Sequence, residues 1–209
     1  MDDPLFWPAL EFYVESFPRE EREPLHEIAT VASGRLVEAG RATGHYRHFA
    51  GAELEGRLAG FRYFSADVAS QLGFFIYLAV EPAFRKLGIG SALIDFGIAQ
   101  CKSDLESHGV GINAIFFECE RPWLVDGEER DLRERRLGFF KNRGALMVSD
   151  TYVQPSLADD REEVPLILMA YPFADKIDWP KSIAVLHRTF LGLEPESEAE
   201  KRTIAGVKL

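Results

Sequence analysis

The segment Leu78-Ala79-Val80-Glu81-Pro82-Ala83-Phe84-Arg85-Lys86-Leu87-Gly88-Ile89-Gly90-Ser91-Ala92-Leu93 constrains the fold most, because it joins an apolar strand to a helix through a short basic turn. Upstream, Gly73 to Val80 reads GFFIYLAV, a run rich in aromatic and β-branched residues, and Pro82 ends it. Downstream, Ile89, Ala92, Leu93, Phe96 and Ala99 fall at helical spacing, and Gly109 supplies a stop. Arg85 to Ser91 therefore lies at a helix start, where unpaired backbone N–H groups and the positive end of the macrodipole favour an anion. Gly88 and Gly90 carry no Cβ, which lets a diphosphate approach those amides. Arg85 and Lys86 add positive charge at the mouth, and Ser91 adds a hydroxyl donor. The competing reading of a bare G-x-G is a tight turn without a ligand.

Two common phosphate-binding patterns do not fit. The third glycine of G-x-G-x-x-G falls at Leu93, and no G-K-[S/T] follows. What remains is R-x-x-G-x-G, filled by Arg85, Gly88 and Gly90, and this resembles the acyl-CoA-binding motif of the GNAT superfamily of N-acyltransferases. Downstream, Asn113 to Glu120 reads as the next strand, and Arg136-Leu137-Gly138-Phe139-Phe140-Lys141-Asn142-Arg143-Gly144-Ala145 is similar to the superfamily's second signature. The resemblance covers residues 46 to 172, and only the first signature is specific.

The resemblance implies transfer of an acetyl or other short acyl group from CoA to an amine, with acetyl-CoA as cosubstrate. It assigns the diphosphate to Arg85, Lys86, Leu87, Gly88, Ile89, Gly90 and Ser91, and the pantetheine arm to backbone groups of Leu78, Ala79 and Val80. Those strand amides are also placed to stabilise a tetrahedral oxyanion. Phe140, which the resemblance also places among the cofactor-binding residues, occupies the position where many members carry a tyrosine that protonates the departing thiolate, and phenylalanine cannot donate a proton. Tyr77 and Tyr152 are substitutes to weigh against ordinary strand tyrosines. The alternative function is a CoA-binding protein of the same fold with lost or reduced turnover; an adenine- or flavin-nucleotide binder is a remote third.

An attacking ammonium must first lose a proton. Glu118 and Glu120 stand two apart on the strand after the motif helix, so alternation points both to one face, where neighbouring acids raise one another's proton affinity. They are the catalytic candidates, and the competing reading pairs them with Arg121, Arg135 or Arg136. The five histidines show no ligand-like spacing, and no metal site is expected.

The 209 residues suit a single domain of the α/β (α+β) class, a mixed central sheet of six to seven strands with helices on both faces. Residues 1–40 form a helical N-terminal segment and 173–209 a helical C-terminal extension. Helices are expected over Leu10 to Phe17, Pro24 to Glu38, Ile89 to His108, Glu128 to Arg143 and from Trp179 to Phe190. A hairpin links Tyr46–Glu53 to Arg57–Ser65, and the tail EPESEAEKR is left without an element. Asp159 to Glu163 reads as a polar turn. Phe6, Trp7, Phe12, Tyr13 and Phe17 either line an acceptor pocket or form the core side of a helix.

A net charge of −10 argues against nucleic acid and suits a cationic small-molecule or peptide amine. No apolar run is long enough to cross a membrane, and the N-terminus lacks signal-peptide character. Cys101 and Cys119 form no C-x-x-C pair and suit a reducing compartment, so a cytoplasmic location without a membrane partner is expected. Trp179 and the helix after it offer apolar surface for a homodimer contact.

Overall fold

The computed structural model describes residues 4–157 and 162–209. Its chain divides into two compact units, residues 1–112 with 157–161, and residues 113–156 with 162–209. The first unit carries α1 (Phe6–Ser16), α2 (Leu25–Ala32), α3 (Arg35–Thr43), β1 (His45–Leu54), β2 (Arg57–Asp67), β3 (Leu72–Val80) and α4 (Ile89–Glu106). The second carries β4 (Ala114–Glu120), α5 (Gly127–Lys141), β5 (Leu146–Ser149), β6 (Val153–Gln154), β7 (Val164–Pro172), α6 (Trp179–Thr189) and α7 (Glu198–Ala205). Among the described residues there are seven strands, and the chain is of the α/β class. The turn expected over Asp159 to Glu163 falls mostly outside the described residues.

In the first unit, β1, β2 and β3 form an antiparallel meander. Glu55 and Gly56 both take positive φ, 52° and 73°, the pair of left-handed residues that a two-residue hairpin turn needs. The register of β2 on β3 slips at one point, where Tyr63 faces Tyr77 but Phe64 faces Phe75. Ile76 is the extra residue, and the bulge reverses the alternation of β3. Tyr77 consequently joins Tyr13, Phe17, Phe61 and Tyr63 on the face covered by α1, while Phe75 turns toward α4. A Cβ at Gly97 would lie 3.0 Å from the Phe75 ring, so this glycine allows α4 its close approach to β3.

Two expectations need adjustment. The helix expected over Pro24 to Glu38 is two helices, because Gly34 takes φ 74° and redirects the chain between α2 and α3. The expected C-terminal tail contains α7, whose start is capped by a serine: the Ser197 hydroxyl accepts from the Glu200 amide at 3.2 Å. Of the N-terminal aromatics, Phe6, Phe12 and Tyr13 take the core alternative in the first unit, whereas Trp7 is exposed.

In the second unit β4 pairs antiparallel with β7 from Ala114 opposite Pro172 to Glu120 opposite Leu166, and β5 and β6 also pair with β7. Trp179, at the start of α6, packs edge-on against Phe116 with ring centroids 6.0 Å apart. Cys101 and Cys119 are buried free thiols. Among the described residues no helix is long and apolar enough to cross a membrane, and no cluster of His, Cys, Asp and Glu is arranged to hold a metal ion.

Candidate functional site

The turn that follows β3 has the geometry its sequence implies. A short 3-10 turn over Pro82–Phe84 carries the chain off the strand, Lys86 takes φ 66°, and Gly88 caps α4 in the left-handed region at φ 84°. The Ala92 amide makes the first helical bond of α4, to the Gly88 carbonyl at 2.9 Å. The amides of Ile89, Gly90 and Ser91 thus form the first turn, and no side chain caps them and no acidic residue lies among them. Arg85, Lys86, Leu87 and Gly88 are all exposed, and the Arg85 Nε donates to the Val80 carbonyl at 3.2 Å. That bond anchors the side chain on the strand end while its terminal nitrogens stay at the surface. A Cβ built on Gly88 meets nothing within 4 Å, so the space above this residue is open to a ligand.

Leu78, Ala79 and Val80 lie directly after the bulge and are only partly buried, unlike the buried start of β3. Gly60 on β2 faces Val80, and a Cβ there would lie 2.6 Å from the Ala79 carbonyl oxygen. Neither the bulge nor this close approach has a sequence signal of its own, since both depend on how β2 and β3 register.

Tyr77 is not a free acid. Its hydroxyl donates to the Glu21 carbonyl at 2.7 Å and accepts from the Glu23 amide at 2.8 Å, fastening the segment between α1 and α2 onto β3. Burial pushes its hydroxyl far above the ordinary tyrosine range. Glu23 itself is held at the same place by Arg47, whose Nη2 lies 3.0 Å from Glu23 Oε2, and by Tyr63, whose hydroxyl donates to that oxygen at 3.4 Å. The Tyr63 hydroxyl in turn accepts from Arg47 Nε at 2.7 Å. Sequence reasoning missed this ionic group altogether, and no local motif announces it.

The second unit holds Glu118, Glu120 and Phe140. The Glu118 carboxylate accepts through Oε1 from the Tyr152 hydroxyl and through Oε2 from the Gln154 amide at 3.3 Å. Tyr152 is fully buried, and burial first, then the Glu118 charge, raises its hydroxyl well above the usual range. Arg121 fixes this arrangement by donating to the Tyr152 carbonyl at 2.7 Å and the Leu166 carbonyl at 3.0 Å. Glu120 pairs instead with two arginines of α5: Arg133 Nε is 3.6 Å from Oε1, and Arg136 contacts Oε2. The two carboxylates thus have separate partners. Phe140 is buried, its ring 4.7 Å from Phe117 and 5.3 Å from Phe139, and no hydroxyl stands there.

The model of the acetyltransferase (GNAT) family matches residues 6–122, more than half of the chain. No curated protein sequence matches. Among solved structures, a GNAT-family protein from Bacteroides thetaiotaomicron is 20% identical, with a TM-score of 0.65 over 90% of this chain and 93% of the other. The ribosomal-protein-S18-alanine N-acetyltransferase from Escherichia coli is 16% identical, with a TM-score of 0.51 over 85% and 94% of the two chains. An aminoglycoside 6'-N-acetyltransferase complexed with coenzyme A is 19% identical, with a TM-score of 0.51 over 85% and 95%. At these identities the structures speak to the fold, and the family match to membership. The chain belongs to the GNAT acetyltransferase family.

Proposed function

We propose that this protein transfers an acyl group from acyl-CoA, acetyl-CoA in the simplest case, to an amine acceptor by direct attack on the thioester. The observation that carries the reading is the turn from Arg85 to Ser91, with three uncapped amides, a left-handed Gly88 with open space above it and two exposed cations. A diphosphate satisfies such donors and the helix dipole at once. The fold likeness to an aminoglycoside acetyltransferase complexed with coenzyme A supports the same ligand class.

On this reading Leu78, Ala79 and Val80 supply backbone groups to the pantetheine arm and the thioester oxygen. Glu118 and Glu120 are the β4 carboxylates that this proposal weighs for proton transfer. Both oxygens of each carboxylate are already engaged by hydrogen bonds or ion pairs, so a substrate ammonium competes there with Tyr152, Gln154, Arg133 and Arg136.

The same reasoning bears on the departing thiolate. Tyr77 and Tyr152 both hold their protons more tightly than an ordinary tyrosine, so neither is a better acid than the thiol that must form. With Phe140 in the tyrosine position, the thiolate leaves without a side-chain acid. This favours slow turnover and supports a second reading, in which the chain chiefly binds CoA and catalyses little.

Calorimetric titration with acetyl-CoA, followed by thiol release in the presence of primary amines, separates these readings. Binding at micromolar concentration and amine-dependent release are the expected results. Failure to bind at millimolar acetyl-CoA rejects both readings; binding without amine-dependent release leaves the second.

A further inference from the structure

We infer that Glu23 receives the proton lost by the acceptor ammonium, through its Oε1, while Arg47 and Tyr63 position the carboxylate by holding Oε2. The inference rests on the acyltransferase reading and names a residue that the β4 carboxylates do not supply. Three observations within the first unit lead to it.

The first is the asymmetry of the carboxylate. Both the Arg47 and Tyr63 bonds go to Oε2, and among the described residues no hydrogen bond reaches Oε1. Glu118 and Glu120, by contrast, are engaged through both oxygens. The second is position. The Glu23 amide donates to the hydroxyl of Tyr77, the residue just before Leu78, so Glu23 stands over the bulged part of β3 that runs into the strand end assigned to the thioester. The third is environment. The Glu23 side chain is 17% exposed, open enough for a small group to reach and buried enough to disfavour the anion.

The facing groups are Arg47 of β1, Tyr63 of β2, Tyr77 of β3, Tyr13 of α1, Arg22 beside it, and Glu27 of α2. Burial outweighs the attraction of Arg47, Glu27 adds repulsion, and the carboxyl is pushed up to about 7. A base with such a value is half ionised at neutral pH and matched to proton transfer there.

The step balances without a further reactant. The ammonium N–H bond breaks and an O–H bond forms on Glu23 Oε1. The freed nitrogen pair attacks the thioester carbonyl carbon, the C–S bond breaks, and its electron pair leaves with sulfur. The remaining extra proton on nitrogen passes to that thiolate, giving amide and free CoA thiol, and Glu23 returns its proton to solvent. A side-chain acid for sulfur is not needed, in keeping with Phe140.

Glu23→Gln, assayed by thiol release with acetyl-CoA and the most active amine of a panel of amino acids, polyamines and lysine peptides, tests the assignment. The expected result is a fall in kcat/KM of about 100-fold at pH 7, with the acidic limb of the pH profile removed and acetyl-CoA affinity unchanged. Arg47→Gln should keep the limb and move it to higher pH, because the attraction that favours the charged form is gone. A purely structural role for Glu23 would leave the limb in place. Thermal unfolding and acetyl-CoA titration report whether each variant is folded. A folded Glu23→Gln variant with the wild-type profile overturns the assignment alone. Wild-type protein that does not bind acetyl-CoA, or releases no thiol with any amine, overturns the transferase reading and this assignment with it.

Discussion

The turn at Arg85 to Ser91 and the end of β4 are both charged, yet they are built oppositely. At the turn, no side chain caps the first-turn amides, and Arg85 and Lys86 are exposed, with only the Arg85 Nε engaged, by the Val80 carbonyl. At the end of β4, Glu118 and Glu120 are closed off by Tyr152, Gln154, Arg133 and Arg136. Groups that bind a partner keep open valences, while groups that hold a fold use theirs up. By that criterion Glu23, with one oxygen held and one open, resembles the turn more than it resembles the β4 carboxylates.

The strongest way to break this contrast is to neutralise the carboxylates one at a time. Glu23→Gln should lower kcat/KM about 100-fold, whereas Glu118→Gln, which can still accept from Tyr152, should cost less than about fivefold. Equal losses in the two would erase the distinction. Next in size, Gly88→Trp places a bulky side chain in the open space above the turn and should weaken acetyl-CoA binding by about tenfold or more, with circular dichroism unchanged. Undiminished binding would remove the turn from the site.

Tyr77→Phe removes both hydrogen bonds that fasten the Glu21 to Glu23 segment, and should cost about 1–3 kcal/mol in denaturant unfolding. A neutral result would mean that the segment is held by other contacts. A smaller effect is expected from pH in the second unit. His187 is fully buried, neither ring nitrogen has a hydrogen-bond partner among the described residues, and burial lowers its pKa to about 4. The unfolded chain therefore takes up protons first, and the stability His187 confers is present above about pH 6.5 and lost as pH falls toward 4. His187→Phe should flatten that slope, read as unfolding midpoints between pH 4 and 7. Smallest of all, breaking the exposed Lys201–Glu198 pair with Lys201→Ala should leave the unfolding midpoint unchanged within measurement error.

Much of the fold was legible because its signals are local. The apolar run to Val80, Pro82, and the spacing from Ile89 to Ala99 define β3, the turn and α4 within a single stretch of chain. The break at Gly34 and the serine cap at Ser197 are equally local, and closer attention to glycine and to S-x-x-E finds both. The environment of Glu118 and Glu120 was not legible in the same way. Alternation placed both on one strand face, but their partners come from α5 and from residues 152 and 154, chosen by packing that alternation does not encode.

The sequence by itself determined the strand, the glycine turn and the helix start, because the free amides of a first turn and the φ of Gly88 are properties of consecutive residues. Only the tertiary structure decided which carboxylate is left open. Glu23 meets Arg47 from 24 residues away and Tyr63 from 40, and a bulge at Ile76 turns Tyr77 to hold it there. Such an arrangement depends on strand register and burial, which arise when distant segments pack and are written in no single stretch of the chain.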